Sequence, residues 1–417
     1  MLSNPVEAFN SRRTNFRWWF AVALWFLLLV SYIDRTTISL TGPMMVKDGV
    51  VTEAGLALSN SLFLIVYGIS NVFGGYLGDK WGARNVSLIA LTWWSLMTLF
   101  TGAIWASGAL IASRVLLGLG EGMHWPMNSK WVKDWFPPKE RGRANMFWEF
   151  GLTVGPIIAG PFITWMVLAS GSWRVPFYVM GIIGIVAMVP IILIVAKNKP
   201  EESKYVSKAE LAYIQEGIKQ EKAEAGEQKS EVTFGQFLKK PDFWLLLINW
   251  SGMATVFYGI LFWLPKYLQN VRHLSVDMTG IWYMLPYIFM TIAIILTALA
   301  SDKLMKRSVF AGIGTLVAGI GLFLGTHVDN LFIAMILISI SSSMNGVVLP
   351  TVWSSLQKMF PDHSVGKGAG WLNGIENVIS AIGTFILGIS FNIGFSYLII
   401  FALVGGISGL ILAKRGY

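Results

Sequence analysis

The chain has 417 residues, of which 54% are hydrophobic and only 13% are charged, whereas soluble domains carry roughly 25% charged residues. This composition excludes an ordinary soluble protein. The chain contains no cysteine, which excludes disulfide bonds, thiolate catalysis and metal binding by cysteine.

Apolar stretches of about 20 residues recur from one end of the chain to the other, each long enough to cross a hydrocarbon core of roughly 30 Å. We therefore predict an all-α membrane protein of twelve transmembrane helices, called spans 1 to 12. Their approximate limits are 18–40, 56–78, 86–107, 109–133, 143–167, 173–196, 242–268, 277–300, 308–326, 330–357, 367–391 and 394–413. The first stretch is too long for a signal peptide, so we expect span 1 to remain in the mature protein.

The basic residues predict how the spans are oriented. Of the 32 Lys and Arg residues, 26 lie in the two termini and in the loops that follow even-numbered spans. By the positive-inside rule, both the N and C termini are predicted to be cytoplasmic. The net charge of +9 is explained by this asymmetry, so we expect membrane lipid and no nucleic acid as a partner.

One long polar segment, residues 197–240, separates six spans from six. It predicts an N-terminal six-helix bundle (1–196), a cytoplasmic linker (197–241) and a C-terminal six-helix bundle (242–417). The middle of the segment, from about Ser207 to Ala225, has good helix formers. It is therefore either a surface helix or a flexible tether, and neither implies a catalytic domain.

A charged motif follows span 2 and has a weaker copy after span 8. The first copy runs Gly75-Tyr-Leu-Gly-Asp79-Lys80-Trp-Gly82-Ala-Arg84, and the second contains Asp302, Lys303, Lys306 and Arg307. The repetition indicates a duplicated six-helix unit and hence two pseudo-symmetric halves.

The first copy resembles the G-x-x-x-D-[RK]-x-G-[RK]-[RK] motif of the major facilitator superfamily. The resemblance implies the fold of that superfamily, with Gly75, Asp79, Lys80, Gly82 and Arg84 in a cytoplasmic gate. In such a gate Asp79 caps a helix and pairs with basic residues in one transport state. The alternative is a charged turn that is merely solvated.

Four ionisable residues lie inside spans 1 and 4. Asp34 and Arg35 are neighbours in span 1, and Arg114 and Glu121 in span 4 are seven residues apart, which puts the latter two on one helix face about 10.5 Å apart. A charge inside a bilayer is costly unless it is paired or hydrated. We therefore predict that the two acids and two bases neutralise one another across a central cavity.

Such pairs are suited to proton coupling. A carboxylate beside an arginine keeps its charge, and loss of the arginine to another anion favours protonation. A substrate anion that competes for Arg35 or Arg114 then binds together with a proton, as in a symporter. The alternative is a static set of ion pairs that holds the helices in register. His124, near Glu121, is a further candidate for the proton path.

These residues sharpen the resemblance. Tyr32-Ile-Asp34-Arg35 in span 1, Tyr67 in span 2, and Arg114 with Glu121 in span 4 look like the anion:cation symporter family, and the similarity covers nearly the whole chain. That family includes bacterial galactonate, glucarate and hexuronate carriers and animal vesicular glutamate and sialic acid carriers.

The resemblance implies a proton-coupled importer of organic anions in the bacterial inner membrane. In this reading Asp34 and Glu121 exchange protons, and Arg35 and Arg114 modulate them or meet the anion. Tyr32 and Tyr67 line the substrate site.

Span 5 departs from the sugar-acid carriers of that family, which tend to have Gln where this chain has Leu152. This chain also has Glu149 about one turn earlier. Loss of the amide removes a group that binds hydroxyls. The Glu149 carboxylate either binds an amine, accepts a proton or faces the cytoplasmic vestibule.

The second half contributes polar residues in spans 10 and 11. Asn373, Glu376 and Asn377 occur at helical spacing in span 11, and Glu376 lies about 13.5 Å into the membrane. We interpret Glu376 as a substrate or proton ligand, with a structural hydrogen bond as the alternative. Asn345 and Trp353 in span 10 are further candidates for substrate binding.

Three function classes remain: a carrier, a channel and a membrane enzyme. A channel is expected to show a repeated filter or a charged pore ring, and an enzyme needs a converging nucleophile or metal set, but the sequence shows neither.

We predict a monomeric carrier without metal or cofactor, with the proton as its coupling ion. The substrate is a small organic anion of the aldonate, aldarate or uronate type. The alternative is another organic anion, such as an aromatic carboxylate, sulfonate or phosphonate, or a zwitterion whose amine meets Glu376 or Glu149.

Overall fold

The computed structural model describes residues 13–224, 238–300, 307–359 and 362–417, and that part of the chain contains helices and no strands. Most of the second copy of the charged motif, including Asp302, lies outside the described residues. Sixteen α-helices occur in the described residues, and we number them α1 to α16. In chain order they are Phe16–Lys47, Glu53–Trp81, Ala83–Gly102, Ser107–Gly122, His124–Trp135, Pro138–Glu149, Gly151–Ser170, Arg174–Ile183, Val189–Val195, Lys208–Glu224, Pro241–Asn270, Val276–Ala300, Arg307–His327, Leu331–Met359, Asp362–Ile389 and Phe391–Lys414.

Three of the predicted spans consist of two consecutive helices. α4 and α5 meet at Met123, since Pro126 has no N–H to donate to the Gly122 carbonyl. α8 and α9 are joined by a π-helical turn, Gly184–Met188, just before Pro190, where proline again disturbs the regular bonding. α6 and α7 meet at Phe150.

With each of these pairs taken as one crossing and α10 set aside, the described helices match the twelve predicted spans. Ten of the crossings are long and apolar enough to span a membrane by length and hydropathy alone. The other two correspond to α3 and to the α4–α5 pair, which carries Arg114 and Glu121.

The crossings form two six-helix bundles that face each other. Between the bundles, α2 packs against α15, α7 packs against α12, and α1 packs against α11. The second crossing of each half thus contacts the fifth crossing of the other half, as expected for two related halves. The predicted fold class is confirmed, while the limits of the two bundles and of the linker stay predictions.

The linker helix α10 docks on the beginning of α1 through a group of buried charges. Arg17 Nε lies 2.7 Å from Glu140 Oε2, and Arg17 Nη1 lies 2.8 Å from Glu210 Oε1. Glu210 also accepts a hydrogen bond from the backbone N–H of Phe16 at 3.0 Å, which is one of the unpaired donors at the start of α1. We call Arg17, Glu140 and Glu210 the linker cluster. The described part of the linker is therefore a docked helix, not a flexible tether.

At the end of the bundles opposite the linker, called the far side, the two halves contact each other. Glu53 Oε2 on α2 lies 3.2 Å from Lys266 Nζ on α11. Gly388 on α15 packs so closely that a side chain there would collide with Ala57 of α2 and with Trp263. These contacts keep the two bundles together on the far side.

Candidate functional site

A cavity that is partly open to solvent lies between the two bundles. The predicted substrate residues that line it are Tyr32 and Tyr67 from the first half, and Asn345, Trp353, Asn373, Glu376 and Asn377 from the second half. Leu152, the position that departs from the sugar-acid carriers, also lines it. The cavity is therefore built from both halves.

Close helix packing fixes the two tyrosines at the cavity wall. A Cβ atom at Gly122 of α4 would lie 2.5 Å from the Tyr67 carbonyl oxygen, and one at Gly155 of α7 would lie 2.7 Å from Tyr32 Cβ. Only glycine permits these approaches. As a result, the helices that carry Glu121 and Leu152 pack directly against the backbone of α2 and α1.

Behind the tyrosines lies a buried ion pair. Arg35 Nε donates to Glu121 Oε2 at 2.5 Å, and the two residues are 1% and 0% exposed. The centre of the Arg35 guanidinium lies 4.3 Å from the ring centroid of Tyr67 and 4.8 Å from that of Tyr32. Because both rings line the cavity, only one layer of side chains separates this ion pair from it.

The charges around this pair are incompletely hydrogen-bonded. Arg35 Nη1, Glu121 Oε1, and Arg114 Nε and Nη2 are buried without a hydrogen-bond partner among the described residues. The Arg114 guanidinium instead lies 4.2 Å from the Phe63 ring centroid, an attractive cation–π contact. We call Arg35, Arg114 and Glu121 the membrane cluster. Its unpaired atoms allow it to accept a further charged partner.

Asp34 has a neutral partner. Its Oδ2 accepts a hydrogen bond from Thr98 Oγ1 of α3 at 2.5 Å, and it forms no ion pair among the described residues. Of the expected pairs, the described residues thus contain a direct contact between Arg35 and Glu121, while Arg114 lies over Phe63. That all four residues neutralise one another stays a prediction. All four residues are nevertheless buried, with exposures of 0 to 4%, so none of them faces bulk water or lipid headgroups.

Two further candidates, His124 and Glu149, do not line the cavity. His124 is buried, with Nε2 3.2 Å from Asn128 Nδ2 and its ring edge-to-face with Trp94. Glu149 is the last residue of α6 and is half-buried. Within the described residues, no group of three or more His, Asp or Glu side chains is arranged to hold a metal ion.

The charged motif after span 2 lies at the linker end of the first half. Asp79 Oδ1 accepts from Lys130 Nζ of α5 at 2.7 Å, while Arg84 N donates to Asn198 Oδ1 at 2.9 Å. Gly82 ends α2 with φ of 80°, a conformation that favours glycine. Lys80 is exposed, and Gly75 has open space around its Cα. Asp79 thus pairs with a basic residue as expected, but it caps no helix among the described residues.

Sequence reasoning missed several aromatic and polar residues of the cavity wall. Trp125, Trp250, Phe257 and Tyr258 line the cavity, as does Asn71, one turn beyond Tyr67. Trp250 and Tyr258 are eight residues apart on α11, which places them on one helix face. That spacing is the available signal, but exposed aromatics show helical spacing too: Trp19 and Phe26 are seven residues apart on α1 and are 70% and 40% exposed.

Comparison with known proteins identifies the family to which the chain belongs. Residues 24–384 match the model of the Major Facilitator Superfamily. A probable galactarate/D-glucarate transporter of Bacillus subtilis (strain 168) is 27% identical over 395 residues, covering 90% of this chain and 86% of that protein. A D-galactonate transporter of Escherichia coli O6:H1 is 26% identical over 429 residues, covering 98% and 97%. The Bacillus subtilis hexuronate transporter is 26% identical over 397 residues, covering 91% and 89%.

Solved structures share the fold. A bacterial homologue of the human lysosomal transporter Spinster, in an inward-facing and occupied conformation, superposes with a TM-score of 0.74 at 17% identity, covering 97% of this chain and 98% of that one. A D-xylose-proton symporter superposes with a TM-score of 0.73 at 16% identity, covering 94% and 96%. The resemblance drawn from the sequence is confirmed. The chain belongs to the Major Facilitator Superfamily and is a multi-pass membrane transporter, not an enzyme.

Proposed function

We propose that the protein is a symporter that imports a small organic anion together with protons by alternating access. We further propose that the anion is a sugar acid of the aldonate, aldarate or uronate type. The relatives named as galactarate/D-glucarate, D-galactonate and hexuronate transporters support this substrate class.

The observation that carries the proposal is the Arg35–Glu121 pair behind the cavity tyrosines. Arg35 has one bond to Glu121 and a buried Nη1 without a partner among the described residues. A substrate carboxylate that reaches Arg35 competes with Glu121 for the guanidinium. Glu121 then loses its counter-charge in a low-dielectric setting and takes up a proton. The anion and the proton therefore bind together.

Asp34 supplies a second proton site in this mechanism. It is buried beside the neutral donor Thr98 and forms no ion pair among the described residues. Arg114, which keeps two buried nitrogens free of hydrogen bonds there, is able to turn from Phe63 towards whichever carboxylate is ionised. Movement of a proton between Asp34 and Glu121 then accompanies movement of this arginine.

The gates lie at the two ends of the bundles. The Glu53–Lys266 contact holds the far side closed, and its opening exposes the cavity to that side. The motif around Asp79 and Lys130 acts at the linker end. We place the protein in the bacterial inner membrane as a monomer surrounded by lipid, with the proton as coupling ion and no cofactor.

Proteoliposomes containing the purified protein test the proposal. Labelled galactonate, glucarate and glucuronate should accumulate when the side from which uptake occurs is made acidic, and uptake should saturate and show counterflow. A pH gradient that fails to drive accumulation of any substrate that exchanges by counterflow contradicts proton coupling. If none of the three acids exchanges, the sugar-acid class is contradicted.

A non-sugar organic anion is the alternative substrate class, and the aromatic cavity residues Trp125, Trp250 and Trp353 favour it. A thermal-shift screen of the purified protein against a panel of acids separates the two classes. A ligand that binds the folded protein raises its melting temperature. Stabilisation by aromatic carboxylates or sulfonates, without stabilisation by sugar acids, supports the alternative.

A further inference from the structure

Glu376 is a buried carboxylate in the cavity wall whose partners are neutral. It is 2% exposed. Oε1 accepts from Ser380 Oγ at 2.8 Å, and Oε2 accepts from Asn377 Nδ2 at 3.0 Å. No lysine or arginine among the described residues forms an ion pair with it. A buried carboxylate without a counter-charge is costly, so a cation that enters the cavity gains strongly by meeting it.

Asn377 adds a second acceptor at the same place. Its Nδ2 donates to Glu376 and to the Asn373 carbonyl oxygen at 2.8 Å. Its Oδ1 is buried and has no hydrogen-bond partner among the described residues. Two neighbouring residues of the cavity wall therefore hold a carboxylate and, beneath the cavity surface, an amide oxygen that lacks a hydrogen-bond partner among the described residues. An ammonium group, which has three donors and no acceptor, complements this pair better than a hydroxyl does.

The rest of the cavity wall also favours a cation. Trp125, Trp250, Trp353, Phe257 and Tyr258 line the cavity, while its described lining residues include no Lys, Arg or His. The faces of Trp and Tyr rings attract cations, most strongly where water is excluded. Trp250 Nε1 donates to Asn373 Oδ1 at 3.2 Å, so an aromatic side chain lies one helical turn from Glu376.

A positive charge lies behind the part of the cavity wall that the first half supplies. Arg35 belongs to α1 in the first half and lies behind Tyr32 and Tyr67, whereas Glu376 belongs to α15 in the second half. Leu152, which also lines the cavity, offers no hydrogen bond to a hydroxyl. The site thus has one place for a carboxylate and one place for a cation.

We propose, on the basis of the proposed function, that the imported acid also carries a protonated amine, and that Glu376 and Asn377 bind this amine. The substrate class is therefore an amino-bearing hydroxy acid, such as a 2-amino-2-deoxyaldonate. Its carboxylate meets Arg35, and its ammonium meets Glu376.

A matched set of ligands tests this inference on the unaltered protein. We would measure binding of gluconate, 2-amino-2-deoxygluconate and its N-acetyl derivative to the purified protein at neutral pH, from the concentration dependence of the thermal shift. The affinity for 2-amino-2-deoxygluconate should be at least about tenfold higher than the affinities for gluconate and for the N-acetyl derivative. Equal or weaker binding of the amino compound overturns the inference and leaves the sugar-acid proposal intact. Absence of binding by all three contradicts both.

The variant Glu376→Gln tests the residue assignment. The amide is the same size and still accepts from Ser380, so the expected change is loss of the preference: the roughly tenfold advantage of the amino compound should disappear. Gluconate, which has no amine, is the reference ligand, and its affinity should fall less than that of the amino compound. Glu216→Gln, the same substitution at an exposed site on α10, is the matched control and should retain the preference. A preference that survives Glu376→Gln overturns the assignment, and so does an equal weakening of all three ligands.

Discussion

Two arginines of one helix, Arg17 and Arg35, show how differently a buried charge is used at the start of the helix and well inside it. Each is 1% exposed. The Arg17 guanidinium makes four hydrogen bonds, two to Glu140 and one each to Glu210 and Asn15. The Arg35 guanidinium makes one bond to Glu121 and leaves Nη1 buried without a partner among the described residues.

The difference separates a structural ion cluster from a functional one. A fully hydrogen-bonded charge would lose existing bonds if it moved to a new partner. The linker cluster therefore fixes α10 and α6 to the start of α1. The membrane cluster leaves hydrogen-bonding capacity unused, which costs stability but allows a new partner to bind. Proteins tend to break such packing rules at functional sites.

The largest expected effect comes from removing the cation of the linker cluster. Arg17→Met leaves Glu140 and Glu210 buried without their shared counter-charge, which should destabilise the protein by about 3–5 kcal/mol. We expect a clearly lower melting temperature and lower yield, with transport per folded molecule retained. Arg13→Met is the control, since Arg13 is 42% exposed and 3.7 Å from Glu140, and it should change stability by about 0–1 kcal/mol. Equal melting temperatures for the two variants contradict this assignment.

The complementary change at the membrane cluster should affect transport instead. Arg35→Lys keeps the charge but loses the planar guanidinium that stacks on Tyr67 and bonds Glu121. We expect initial uptake to fall by about a hundredfold, equivalent to about 2.7 kcal/mol, with a smaller loss of melting temperature than for Arg17→Met. Arg17→Lys is the reference and should lower the melting temperature while sparing transport. Equal loss of transport in both lysine variants would contradict the assignment of Arg35 to transport and of Arg17 to stability.

A smaller effect is expected at Asp34. Thr98→Val removes the hydroxyl that donates to Asp34 Oδ2 and leaves the carboxylate without that donor. We expect a loss of about 1–3 kcal/mol in unfolding free energy, together with a changed pH dependence of uptake. Thr164→Val is the control, because within the described parts of the chain the Thr164 hydroxyl bonds only carbonyls of its own helix. If the two valine variants have the same unfolding free energy and the same pH dependence of uptake, the Thr98–Asp34 hydrogen bond determines neither quantity.

The smallest effect is expected for the exposed pair at the linker end. The Asp79 side chain is 76% exposed, and its partner Lys130 is 31% exposed. Solvent screens such pairs, so Asp79→Asn should change the unfolding free energy by about 0–1 kcal/mol, as read from the melting temperature in detergent. A loss as large as that of Arg17→Met contradicts the contrast between solvated and buried pairs.

The sequence predicted the features that charge and hydrophobicity determine. The crossings and the two halves follow from apolar length, and acid–base pairing between spans 1 and 4 follows from the cost of an unpaired charge in a bilayer. That Arg35 pairs with Glu121 was not predicted, since the sequence does not say which base meets which acid. The partner of Asp34 was not predictable in this way, because Thr98 is neutral and threonine is common in membrane helices. The sequence alone therefore favoured an arginine partner that the structure does not provide.

The cavity wall and the linker cluster escaped prediction for a related reason. Trp250 and Tyr258 are as apolar as the lipid-facing aromatics, so only the tertiary packing distinguishes them. Glu210 lies in a polar segment whose composition predicts exposure to solvent. It is nevertheless 0% exposed, because it accepts hydrogen bonds from the Phe16 backbone and the Arg17 side chain of α1. Residues whose role depends on a distant partner give no local signal.

The most direct test of the central claim compares proton-driven uptake with exchange in the variant Glu121→Gln. The amide keeps the shape of the side chain but cannot take up and release a proton. If anion and proton meet at the Arg35–Glu121 pair, accumulation driven by a pH gradient should be lost in proteoliposomes, while counterflow of the same substrate continues. Undiminished accumulation driven by the gradient would contradict the account.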